Sequence, residues 1–214
     1  MLYNLGEHNS IANQFLLELR DKEVQIDRMR FRRNLERLGE IMAFEISKKL
    51  SYKISKAHTP LGTATLNTLA AEPVLITILR AGLPYYQGFQ NYFDKADSGF
   101  VGAYRKEGGG DISIKLDYLA SPNLEGKEVI LIDPMLATGK SVVDAFKELR
   151  KRGSPKGLHI ASLLASPQGI DYLKTHLDFP FTFWTFAVDE KLNSQFYIVP
   201  GLGDAGDLSF GDKG

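Results

Sequence analysis

A parallel α/β sheet flanked by helices is the fold this sequence predicts, and three observations lead to it. Apolar, β-rich runs at residues 73–79, 129–132, 157–165 and 179–188 are too short for helices and suit strands buried on both faces. Helical patterns lie between them, through Phe93, from Ser141 to Arg152 and from Pro167 to about His176. Two of the strands deliver the chain to a Gly-containing turn at a helix start, and sheets of this kind hold ligands at the carboxyl ends of their strands.

From about Val24 to Leu50, Ile26, Met29, Leu35, Leu38, Met42 and Ile46 recur at helical intervals with acids and bases between them. A long amphipathic helix is expected there, with one face packed on the sheet or on a second subunit. Arg28, Arg30, Arg32 and Arg33 lie within this pattern beside Glu36 and Glu40, which suits a solvated or subunit-facing side. His58–Thr59–Pro60–Leu61–Gly62 reads as a connection and turn, with His58 structural or exposed, and Thr63–Leu69 as a short strand.

The strand at 73–79 runs into Arg80–Ala81–Gly82–Leu83–Pro84. An Arg at a strand end is placed for a doubly charged group, and Gly82 lets backbone approach a ligand closely; a surface Arg at an ordinary turn fits the same residues. Gly99–Lys106 is a strand ending in basic residues. After Gly108–Gly109–Gly110, the alternation from Ile112 to Tyr118 predicts a hairpin or arm that could close over a ligand or clasp a neighbouring subunit.

Val129–Ile130–Leu131–Ile132 ends at Asp133–Pro134, and Ala137–Thr138–Gly139–Lys140–Ser141 follows immediately before a helical pattern at Val142, Val143, Phe146 and Leu149. Unpaired N–H groups and the positive end of a helix dipole converge at such a junction, so a phosphate is the natural guest. A Walker A loop requires a Gly where Pro134 stands. An acid at the strand end followed by Thr-Gly fits a ribose 5-phosphate better, the carboxylate accepting from two ribose hydroxyls while downstream amides hold the phosphate.

Gly153–Ser154–Pro155 closes the helix, Pro167 opens the next, and 179–188 is the last main strand. The stretch Tyr197–Asp207 carries Gly201, Gly203, Asp204, Gly206 and Asp207, which reads either as a loop exposing backbone groups to a flat polar ligand or as a flexible terminus.

Composition narrows the function classes. Cysteine is absent, which excludes disulfides, thiolate metal sites and cysteine nucleophiles. Lys plus Arg, 26, equals Asp plus Glu, 26, so overall charge offers no argument for nucleic-acid binding. No apolar run reaches membrane-spanning length, and the polar start from Met1 to Ser10 is unlike a secretory signal, so a cytoplasmic enzyme is expected.

Taken together, Ile78–Leu83, Tyr104–Glu107, Asp133–Ser141 and Tyr197–Asp207 resemble segments of the uracil phosphoribosyltransferases, in that family's order and near its spacing. Phe31–Arg32, Gly39 and Phe44–Glu45 also fit its first long helix, and Pro200–Asp207 is the most specific part. The resemblance implies a single phosphoribosyltransferase-type α/β domain over 1–214. Its parts would be an N-terminal helical and hood part at 1–70, a core at 71–190 that binds 5-phosphoribosyl 1-diphosphate (PRPP), and a base-binding hood at 191–214.

It further implies that Arg80 and Arg105 contact the PRPP diphosphate and that Asp133 accepts the ribose hydroxyls. The loop through Pro134, Met135, Leu136, Ala137, Thr138, Gly139, Lys140 and Ser141 would bind PRPP and hold the 5-phosphate. Ile198, Gly203, Asp204 and Ala205 would meet uracil, with Asp204 reaching the ribosyl moiety. Asp133, Arg105 and Asp204 would carry the chemical step, and Mg²⁺ would arrive mainly on the diphosphate. The expected reaction converts uracil and PRPP to UMP and diphosphate, in a homodimer or higher homo-oligomer, with GTP or another nucleotide as a candidate effector. Lys140 replaces a Gly usual in the family, and Leu208 stands where a basic residue is common. If Lys140 required φ > 0, the chain would be a weakened enzyme or a nucleotide-binding regulator.

Overall fold

The computed structural model describes residues 1–106 and 113–212, and the side chains of residues 103–117 fall outside that description. The chain opens with strand β1 (Leu2–Asn4), helix α1 (Ile11–Arg20) and helix α2 (Arg28–Ser47). Strands β2 (Tyr52–Thr59) and β3 (Gly62–Leu69) pair as an antiparallel hairpin. There follow β4 (Val74–Leu79), α3 (Gly82–Tyr92), β5 (Ser98–Lys106), β6 (Ser113–Ala120), β7 (Glu128–Ile132), the short β8 (Met135–Leu136) and α4 (Lys140–Leu149). The remainder is β9 (Gly157–Ala161), β10 (Leu164–Ala165), α5 (Pro167–His176), β11 (Thr182–Thr185), β12 (Ala187–Val188), β13 (Lys191–Leu192), β14 (Ile198–Val199) and α6 (Ala205–Phe210).

Seven strands form the main sheet in the order β1-β11-β9-β7-β4-β5-β6, parallel except for the β5–β6 pair. The apolar runs at β4 and β7 are buried on both faces, as their unbroken hydrophobicity predicts. Leu75, Ile130 and Ile132 face α2 and α3, whereas Ile76, Val129 and Leu131 join Val142, Val143 and Phe146 of α4 on the other side. Helices α2 and α3 cross at two glycines. A Cβ at Gly88 would overlap the Glu36 carbonyl, and one at Gly39 the Tyr85 carbonyl, so only glycine permits this approach.

Several expectations need correction. The N-terminal helix begins at Arg28, not Val24, because Asp27 caps it by accepting from Met29 N–H at 3.0 Å and Arg30 N–H at 3.1 Å. Ile26 therefore lies outside the helix and is exposed, as is Met29, while Phe31 takes the core position. The arginine cluster does not simply face solvent. Arg32 donates to the Ser209 carbonyl at 2.7 Å and Arg30 pairs with Glu18 at 3.0 Å, so this face also holds α6 and α1. The turn at 58–62 is the tip of a hairpin whose first strand, β2, has little apolar alternation and escaped the sequence reading. Residues 113–118, expected in a hairpin or arm, pair antiparallel with β5 within the edge strand β6 of the main sheet, while Ile112 and the Gly108–Gly110 turn lie outside the described residues.

Deep in the sheet, Trp184 Nε1–H donates to His159 Nδ1 at 3.2 Å, with Glu128 3.9 Å from the other ring nitrogen. Burial pushes the His159 pKa below its ordinary 6.5, and Glu128 only partly opposes this. The unfolded chain thus binds the proton more readily, so folding stability falls as pH drops below 6.5 toward the folded-state value. The melting temperature should decline from pH 7 to pH 5. His159→Asn, whose Oδ1 can still accept from Trp184 and does not titrate, should flatten that slope; an unchanged slope would assign the loss to other groups.

Candidate active site

Strands β4 and β7 are neighbours in the middle of the sheet, in parallel register from Val74↔Val129 to Thr77↔Ile132. The chain leaves β4 toward β5 on one side, and leaves β7 toward β9 and β11 on the other. The strand order therefore reverses between β4 and β7, and a crevice opens outside their carboxyl ends at such a switch point. Arg80 follows β4 and Asp133 follows β7, so both border that crevice.

The loop after β7 is built by its own backbone and by α5. Asp133 N–H bonds the Ala161 carbonyl at 3.1 Å, and Met135 N–H bonds Asp133 Oδ1 at 3.3 Å. The Pro134 carbonyl accepts from Leu163 and Leu164 N–H at 2.9 and 3.0 Å, and the Leu136 carbonyl from Ser166 N–H at 3.0 Å. Ser166 Oγ donates to the Ala137 carbonyl at 2.6 Å while it accepts from Gly169 N–H at 2.9 Å as the cap of α5. Pro134 and Leu136 thus hold the loop to its neighbours, and the Leu136 side chain is buried in the core. The partly exposed Asp133, Ala137, Thr138, Lys140 and Ser141 form its open side.

Gly139 makes the turn into α4 with φ +76°, and a Cβ there would lie 2.8 Å from the Gly169 carbonyl. An L side chain is excluded on both counts. Lys140 is the first helical residue and Phe196 alone among the described non-glycine residues has positive φ, so the conformational demand falls on Gly139 and not on Lys140. The Val143 N–H is the first to close onto a helical carbonyl, that of Gly139 at 3.1 Å. Of the earlier amides, that of Lys140 bonds Thr138 Oγ1 at 3.4 Å and those of Ser141 and Val142 have no intrahelical partner, which leaves the positive end of the helix for an anion.

With PRPP as the ligand that the resemblance implies, Lys140→Gly should raise its Michaelis constant about two- to fivefold at low salt, on the scale of one exposed charge contact. The deficit should shrink at high salt as the charge is screened. Titrations at two salt concentrations check this, and tighter binding by the Gly variant at both would contradict the placement of Lys140.

The C-terminal stretch is ordered, not frayed. β14 pairs with β13 in register Leu192↔Ile198, and Asp204 caps α6 by accepting from Gly206 N–H at 2.8 Å and Asp207 N–H at 3.0 Å. Both capping bonds fall on Oδ1. Ile198 and Ala205 are buried, Asp204 is partly exposed and Gly203 is open. Leu208 packs toward the core, which accounts for an apolar residue there. The tertiary structure joins this stretch to the crevice through Arg80, whose Nη2 donates to Asp207 Oδ1 at 2.8 Å and to the Gly211 carbonyl at 3.3 Å. The Leu79–Arg80 and Val199–Pro200 peptides are both cis.

A strand-end acid, a helix N-terminus, an arginine and the capped C-terminal stretch that it holds thus lie at the carboxyl ends of the central strands β4 and β7. The chain matches the sequence profile of the uracil phosphoribosyltransferases over residues 7–212. The chain belongs to that family. A uracil phosphoribosyltransferase of Porphyromonas gingivalis is 48% identical over 211 residues, covering 98% of both chains. One from Methanothermobacter thermautotrophicus is 37% identical over 189 residues, covering 87% of this chain and 86% of its own. Among solved structures, a protein of Aquifex aeolicus superposes with a TM-score of 0.88 at 29% identity, covering 99% of this chain and 98% of that one.

Of the expected site residues, Arg80, Asp133, the 137–141 loop and 198–205 border one crevice or are tied to it, while the Arg105 side chain lies outside the described residues. Asp207 and Ser166 were missed in their present roles. Ser166 could have been found from Ser-Pro at a helix start, a capping signature. Asp207 had no local signal, because its partner is 127 residues away.

Proposed function

We propose that the protein transfers the ribosyl 5-phosphate group of PRPP to uracil, forming UMP and releasing diphosphate. The observation that supports this most is the junction of the Asp133 loop with Arg80 and the C-terminal stretch at the sheet's switch point. In this reading the open amides at the start of α4, with Thr138 and Ser141 hydroxyls, hold the 5-phosphate. Asp133 accepts from the ribose hydroxyls, and its charge stabilises the positive character that C1 acquires as diphosphate departs. Arg80 and Arg105 neutralise the leaving diphosphate. Asp204 faces the ribosyl group, while main-chain groups of Ile198, Gly203 and Ala205 orient uracil for attack by its ring nitrogen on the opposite face.

Among the described residues no group of three His, Asp or Glu side chains could hold a metal by itself. A hard divalent ion such as Mg²⁺ would therefore take its oxygens largely from the diphosphate, where it would neutralise charge on the leaving group. Segments 1–70 and 191–214 would frame the core at 71–190, the latter as the hood over the base.

Incubation of the protein with PRPP, Mg²⁺ and each of uracil, cytosine and a purine, followed by chromatography of the nucleotides, tests the proposal. UMP should accumulate with uracil and little nucleotide with the others, because a buried donor or acceptor left unpaired by the wrong base discriminates strongly. PRPP binding with no turnover of any base would instead indicate a nucleotide-binding regulator.

A further inference from the structure

The C-terminal base loop is gripped from the far end of the sequence. Arg20, the last residue of α1, makes a two-pronged ion pair with Asp189, Nη1 to Oδ2 and Nη2 to Oδ1, each at 2.8 Å. The same two side chains take both main-chain groups of Gly201: Arg20 Nη1 donates to its carbonyl at 3.0 Å, and Asp189 Oδ2 accepts from its N–H at 2.9 Å. The pair is secluded, the Arg20 side chain being 21% exposed and that of Asp189 7%. With its amide nitrogen turned toward the carbonyls, Gln25 donates to Leu202 at 2.8 Å and to Leu19 at 3.1 Å. Asp189 itself is set by its own N–H, which bonds the Ala165 carbonyl at 2.8 Å at the end of β10.

We infer that Arg20 and Asp189 are positioning residues that lock the Ile198–Ala205 loop in the conformation that selects the base. The inference rests on the assignment of this loop to uracil made above. Gly201 lies between Ile198 and Gly203, so a brace on both of its peptide groups sets the direction of the main-chain groups on either side. Main-chain recognition discriminates only if the chain is held to a fraction of an ångström, which a bare glycine-rich loop does not achieve. A planar guanidinium matched to a carboxylate supplies fixed directions, and a lysine would supply only charge. The side-chain hydrogen bonds of the brace fall on Gly201 and between Arg20 and Asp189, not on the Asp133 loop or the start of α4, so its larger effect is on the base.

Removing one partner strands a buried charge and risks unfolding, whereas replacing both with apolar residues of similar size often preserves stability. The decisive variant is therefore Arg20→Met combined with Asp189→Leu, with Arg20→Lys as the conservative comparison. Steady-state kinetics of the double variant should show a Michaelis constant for uracil raised tenfold or more, a constant for PRPP within twofold of the parent, and a smaller preference for uracil over cytosine. Arg20→Lys should fall between parent and double variant. Hydrogen exchange of the amides from Gly201 to Ala205 should quicken while that of β4 and β7 stays unchanged. A purely structural role would instead lower the active fraction and melting temperature at constant Michaelis constants. That result, or unchanged exchange in the loop, would overturn the inference. If the parent itself turned over no uracil, the base assignment would fall and the selectivity claim with it, while the exchange measurement would still decide whether the brace holds the loop.

Discussion

Asp133→Asn should lower kcat/KM by about 30- to 900-fold, corresponding to ~2–4 kcal/mol of lost transition-state stabilisation for one preorganised electrostatic contact. The substitution keeps size while removing the charge of the residue that follows β7, proposed above to face the ribose, and it turns one acceptor oxygen into an N–H donor. Met135 N–H bonds Asp133 Oδ1 at 3.3 Å, and an amide oxygen can accept that bond equally, so the loop should keep its shape. The loss should appear mainly in kcat, because the positive character at C1 exists chiefly in the transition state. Steady-state kinetics in both substrates, with a melting curve as control, decide the matter. Activity within twofold of the parent would mean that the strand-end acid does not face the reacting sugar.

Arg80→Met should raise the Michaelis constant for PRPP about tenfold to 150-fold, the ~1.5–3 kcal/mol typical of a hydrogen bond to a charged group. In the structure the guanidinium is held by Asp207 and the Gly211 carbonyl, and its Nε is buried without a partner among the described residues. The ion pair is open to solvent on both sides, 39% for Arg80 and 33% for Asp207, so its loss should cost the fold only ~0–1 kcal/mol. The two effects therefore separate. A large change in PRPP affinity with a melting temperature almost unmoved fits a ligand-facing cation. A fall in melting temperature with unchanged affinity would make Arg80 a tether for the C-terminal segment and nothing more.

The parts that could be read from residues alone share a physical character: each is decided by neighbours within a few positions. Burial on both faces writes itself into β4 and β7 as unbroken apolar runs, so those strands were legible. Pro167 after Ser166 marked the start of α5 for the same local reason. The acid, the small-residue loop and the helix start from Asp133 to Ser141 could be recognised as one phosphate-binding unit because the whole unit spans nine residues. Strand β2 left no such mark, although the turn after it and β3 were read. Almost all its residues are exposed, so no alternation of apolar and polar positions was required of it.

The sequence by itself determined the class of fold, the loop that would take a phosphate and the order of the segments that resemble one enzyme family. Only the tertiary structure decided that Gly139, not Lys140, carries the left-handed turn, since the choice depends on how the loop meets the Gly169 carbonyl. It alone decided that Arg80 reaches Asp207, and that Arg20 and Asp189 close on Gly201. These contacts join residues more than a hundred positions apart, except for the step from Asp189 to Gly201. A charged side chain has no local pattern that names its partner. The partner is chosen when packing of the main sheet, of the small β12-β10-β8 sheet and of α1 brings the ends of β4, β12 and α1 against the C-terminal stretch, and that packing is a property of the whole fold.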